Sequence, residues 1–65
     1  MKLGPYLAKE NISPGVFADM IGVTVQAVHR YIANDRVPHR DVMQRIIEHT
    51  KGEVQPNDFF DRAVA

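Results

Sequence analysis

Sixty-five residues make at most one small domain, spanning residues 1–65, and a chain this short buries only about 60% of the surface that its unfolded form exposes. Eight basic and eight acidic side chains cancel, and there is no cysteine. That excludes a disulfide framework and a thiolate metal site, and it suits a reducing cytoplasm. No apolar run approaches the ~18 residues of a membrane span, and Met1-Lys2-Leu3-Gly4-Pro5 lacks the apolar stretch of a secretory signal, so no membrane partner is expected.

The first helix is predicted from about Leu3 to Glu10, with Leu3 and Leu7 inward and Pro5 tolerated in the first turn, where its missing N–H would be unpaired. Asn11 ends it, because asparagine enters the left-handed conformation readily, and Ile12 returns the chain to the core. Ser13 and Pro14 then form a strong start signal, a hydroxyl cap followed by proline, for a second helix over roughly residues 14 to 21. Its Phe17, Ala18 and Ile21 share one face. A third helix, capped by Thr24 and running from Val25 to Ala33, carries Val28, Tyr31 and Ile32 at the same spacing.

Only Gly22 and Val23 lie between Ile21 and Thr24, so the two helices must cross steeply. Gly22 then takes a backbone conformation that a Cβ would obstruct, and Ala18 is small because it faces the crossing. Asn34-Asp35 makes the next turn. A fourth helix follows Pro38, from about Arg40 to Lys51, with Val42, Met43, Ile46 and Ile47 on its apolar face, an Asp41/Arg45 pair at i, i+4 spacing, and Gly52 as its stop. A last helical turn begins near Pro56. The chain reads as an all-α, compact four- to five-helix bundle with a helix-turn-helix.

The order Phe17, Ala18, Ile21, Gly22, Val23, Thr24, Val28 resembles the helix-turn-helix of small phage Cro and repressor proteins and their bacterial relatives, the XRE-type family. The turn Asn34-Asp35-Arg36-Val37-Pro38 with its following helix is similar to the family's next segment, as is the closing Pro56-Asn57-Asp58-Phe59-Phe60. The resemblance thus covers essentially the whole chain and implies a lambda-repressor/Cro-like fold that binds double-stranded DNA. Two positions depart from the family. Pro14 stands where a polar residue, often glutamine, opens the second helix, and Val25 stands where glutamine is also frequent.

A recognition helix is buried on one side and offers the other to base edges. The third helix divides in that way, leaving Val25, Gln26, His29 and Arg30 as base-reading candidates, with Ala27 near the boundary. Gln26 can present donor and acceptor together to adenine, Arg30 can do so to guanine or clamp a phosphate, and Val25 can pack on a thymine methyl. His29 can donate or accept. The phosphate-positioning candidates are Gly15, Thr24, Arg36 and Arg40. The two arginines match the family's basic turn and the start of its next helix, and the Gly15 amide at a helix N-terminus can meet a phosphate. Arg45 is read as a surface ion-pair member only.

Charge distribution agrees with this reading better than net charge does. Residues 24–45 hold four arginines against two aspartates, whereas residues 46–65 hold two basic side chains against four acidic ones and residues 1–23 balance. A polarised molecule presents its basic face to phosphates. Catalytic and metal patterns fail on spacing: His29, His39 and His49 fall on different elements, no Gly-rich phosphate loop occurs, and Asp58 and Asp61 are explained as a solvated face at a helix start. No metal, cofactor, small-molecule substrate or enzymatic activity is expected.

The expected function is sequence-specific regulation of transcription, most simply repression by operator occupancy with the third helix in the major groove. A homodimer on a pseudo-palindromic site is the expected assembly, with Phe59, Phe60 and Val64 as the interface candidates. The alternative for Phe59-Phe60 is closure of the protomer's own core. From another class comes the alternative of a protein-interaction module, such as the antitoxin or adaptor half of a regulatory pair, which neutral net charge also fits.

Overall fold

Two hydroxyls set the helix starts on which the rest of the molecule depends. In the computed structural model, which describes residues 1–60, Ser13 Oγ accepts from the Val16 N–H at 3.2 Å and Thr24 Oγ1 from the Ala27 N–H at 3.1 Å. Each bond satisfies one of the donors that a helix leaves unpaired in its first turn. Four helices follow one another, α1 (Leu3–Glu10), α2 (Pro14–Ile21), α3 (Val25–Ile32) and α4 (Arg40–His49), and a 3₁₀ turn, Pro56–Phe59, closes the described residues. No strand occurs among them, so the fold is all-α. Among the described residues no helix is long and apolar enough to cross a membrane.

The helix ends are made by left-handed residues. Asn11 (φ 59°) terminates α1, and the Ile12 N–H reaches back to the Leu7 carbonyl at 2.9 Å. Gly22 (φ 73°) terminates α2. In α3 the helix stops at Ile32, one residue short of the expected Ala33, because Asn34 (φ 62°) turns the chain and the Asp35 N–H bonds the Arg30 carbonyl at 2.9 Å. The fourth helix ends at His49 and not at Lys51, since Lys51 (φ 55°) and Gly52 (φ 81°) are both left-handed.

These ends bring one face of every helix to a common core. Phe17, Ala18 and Ile21 from α2 meet Val28 and Tyr31 from α3, flanked by Leu3, Tyr6 and Leu7 of α1 and by Val42, Met43 and Ile46 of α4. Ile32, expected inward, is half-buried and packs from the edge. Its Cγ2 lies 3.2 Å from where a Cβ on Gly4 would stand, a tight contact that the glycine avoids where α1 passes α3.

The core is completed from the segment after α4. Val54 is fully shielded, and Phe59 meets the Tyr31 ring edge-on, with centroids 6.3 Å apart at 78°. Phe60 beside it is exposed, so the two phenylalanines divide: Phe59 belongs to the protomer's own core, and Phe60 alone of the described pair remains open to a partner. Val64 lies outside the described residues. Asp58, expected on a solvated face, instead accepts from the Gln55 N–H at 2.8 Å and from the Met1 amino group at 2.9 Å. Burial pushes its carboxyl up, but these donors outweigh that and hold it below the ordinary carboxylate value. The stability they contribute is complete above that ordinary value and is lost as pH falls through the depressed one.

Thr50 is the buried polar residue of the core. Its Oγ1 donates to the Ile46 carbonyl at 2.8 Å and accepts from the buried Val54 N–H at 3.2 Å, which ties the end of α4 to the closing segment. Thr50→Val keeps the volume but leaves that N–H unpaired, and we expect it to cost about 1–3 kcal/mol. Thr50→Ser keeps the hydroxyl and loses one methyl, so its cost should be about 1 kcal/mol. Urea melts of the two variants give the order, and a valine variant no worse than the serine one would remove the hydroxyl from the account.

Candidate nucleic-acid interface

Helix α3 owes its position to its own buried side. Val28 is 0% and Tyr31 4% exposed, and both lie in the core shared with α2, with Tyr31 edge-on to Phe59. With those two side chains fixed, the helical period sends Val25, Gln26, His29 and Arg30 to the opposite side, and all four are exposed. Ala27 is half-buried at the boundary.

The turn between α2 and α3 fixes how the exposed face is presented. Gly22 takes the left-handed conformation, the Val23 N–H bonds the Ala18 carbonyl at 3.0 Å, and Ala18 is buried where the helices meet. A Cβ built on Gly22 would meet only Arg45 Nη1, at an ordinary 3.7 Å, so the glycine is required by its backbone angles and not by crowding.

Arg45 has more than the surface role expected of it. Its pair with Asp41 is present at 3.7 Å, but Nη1 also donates to the Ile21 carbonyl at 3.1 Å, the last residue of α2. One side chain of α4 thereby satisfies a carbonyl that the end of α2 leaves open and holds the turn that leads into α3. Nothing in the sequence around Arg45 signals this contact, because its acceptor is twenty-four positions away.

Two open concavities meet along the exposed face of α3. One is lined by Gln26, His29, Arg30, Ala33 and Asp35, the other by Thr24, Gln26, Ala27, Arg30 and Arg36. Gln26 and Arg30 belong to both and form the ridge between them. Arg36 and Arg40 are exposed, Arg36 in the turn after α3 and Arg40 as the first residue of α4. Among the described residues the side chains of Arg30, Arg36 and Arg40 make no ion pair or hydrogen bond, unlike those of Lys9, which is bound to Glu53, and Arg45. Their charges are therefore available to an outside anion.

The remaining candidates divide. Thr24 spends its hydroxyl on capping α3, which leaves its position at the mouth of the second concavity but commits one lone pair. Gly15 lies in the first turn of α2, exposed, with open space where its Cβ would be. Among the described residues no group of three or more His, Cys, Asp and Glu side chains is placed to hold a metal ion. Compared with family models, with curated proteins and with solved structures, the chain matches none.

Proposed function

We propose that this protein binds double-stranded DNA in a sequence-specific manner and regulates transcription, acting most simply as a repressor that occupies its operator. The observation that carries the reading is the two-sidedness of α3: Val28 and Tyr31 are buried, while Gln26 and Arg30 stand exposed on a ridge beside the unpaired Arg36 side chain. A helix held from behind, with bidentate-capable side chains in front, is what the major groove admits. Eight residues of α3 span about 12 Å at 1.5 Å per residue, or roughly four base pairs at 3.4 Å each. A single copy therefore reads a short site. Two copies on half-sites one helical turn apart supply the missing length, with Phe60 as the exposed aromatic of the interface candidates.

The experiment separates readers from positioners. Gln26→Ala and Arg30→Ala should each cost ~1–3 kcal/mol on the preferred duplex and relax base preference at one position, with folding unchanged. Arg36→Ala and Arg40→Ala should weaken binding similarly on all sequences and lower the salt slope by about one each. Binding of the four variants to specific and scrambled duplexes across a salt series gives the answer. Unchanged affinity in all four, or association that salt does not weaken, would point away from DNA and toward an apolar protein partner.

A further inference from the structure

Asp35 is out of place on a face that would meet phosphates. It is exposed, and its carboxylate has no hydrogen-bond or ion-pair partner among the described residues. Its position is nonetheless fixed, since the left-handed Asn34 precedes it and its own N–H is bonded to the Arg30 carbonyl. It shares a concavity with Gln26, His29 and Arg30. A carboxylate carried toward a duplex is repelled by the phosphates on either side, so it lowers affinity for every sequence that offers it no donor.

The major groove offers few donors. Only the exocyclic amines of cytosine and adenine point hydrogens into it, and adenine sets its amine beside the N7 acceptor, which a carboxylate repels. A G·C pair presents two acceptors on guanine and then the cytosine N4 donor. One wall of the concavity carries Arg30, a group that only donates, and another carries Asp35, a group that only accepts. We propose that Asp35 is a specificity-determining residue that, together with Arg30, selects a G·C pair, with Arg30 on guanine N7 and O6 and Asp35 on cytosine N4. This rests on the DNA-binding reading above, and it assigns to part of the site a base identity that the sequence left open.

The test is selection from a random duplex pool by the wild type, Asp35→Ala and Asp35→Asn, followed by binding of all three to the selected duplex and to its G·C→A·T variant. Thermal melts confirm the fold of each, and the exposure of Asp35 predicts that they are unchanged. The wild type should fix one G·C pair and discriminate against the A·T duplex by about tenfold or more. Asp35→Ala should keep the share of that discrimination that Arg30 supplies through guanine and lose the rest, about threefold or more, while binding the A·T duplex more tightly than the wild type does. A tighter Asp35→Ala complex with base preference intact would reduce Asp35 to a repulsive charge and overturn the proposal. Equal binding by all three proteins would place Asp35 outside the interface and also overturn it. Failure of the wild type to retain any duplex would be a different result, since it removes the DNA-binding reading itself.

Discussion

Phe59→Ala should unfold a large share of the protein at ambient temperature. The ring is 4% exposed and closes the core against Tyr31. Truncating a buried phenylalanine costs about 3–5 kcal/mol from lost transfer energy and the cavity left behind. At roughly 0.05–0.15 kcal/mol per residue, a chain of this size has on the order of 3–10 kcal/mol in total, so the loss is comparable to the whole. Where a melt is still measurable, the midpoint should fall by at least about 12 °C, at ~4–8 °C per kcal/mol. Phe60→Ala is the control: its ring is 62% exposed, and the change should stay within about 0.5 kcal/mol. The pair also separates core from interface. A core defect lowers the midpoint by the same amount at every protein concentration, whereas a dimer contact makes the wild-type midpoint concentration-dependent and its loss removes that dependence. Equal, small losses in both variants would sink the assignment of Phe59 to the core.

Substitutions at Gly22 should follow backbone preference and not size alone. A left-handed L-residue costs ~1–2 kcal/mol, asparagine pays less than most, and a β-branched residue is the worst case. Gly22→Asn should therefore be the mildest, Gly22→Ala should lose about 1–2 kcal/mol, and Gly22→Val should lie at the upper end of ~1–3 kcal/mol. Because the nearest atom to a Cβ there is the end of the Arg45 side chain at 3.7 Å, crowding adds little to the first two. Asparagine as damaging as valine would show that the space beside Arg45 matters more than φ. Because this turn sets how α3 leaves α2, the alanine variant should also lose affinity for duplex DNA by more than its stability loss explains.

The four helices were legible because their signals are local. Ser13-Pro14, Thr24, Asn11 and Gly22 each act within one turn of chain, and the spacing of Phe17, Ala18, Ile21 and Val28 announces which side is buried. The exposed side of α3 followed by subtraction. What escaped was long-range. Val54 stands alone in Gly-Glu-Val-Gln-Pro with no period to mark it, yet it is fully buried, because Thr50 turns the chain back over the core. The choice between Phe59 and Phe60 depends on where Tyr31 lies. Arg45 finds its second partner across the molecule at Ile21. Asp35 reads as a turn former, and only the fold brings it into one concavity with Gln26 and Arg30.

The closing segment has a consequence for any chain that is cut short. A chain ending at residue 52 keeps all four helices but neither Val54 nor Phe59, so Tyr31 lacks the ring that packs on it and Thr50 lacks the N–H from which it accepts. Its helices should remain a loose, interconverting set, open to proteases. Adding residues 53–60 back should bring a rigid α3 and a protease-resistant chain together, in one step.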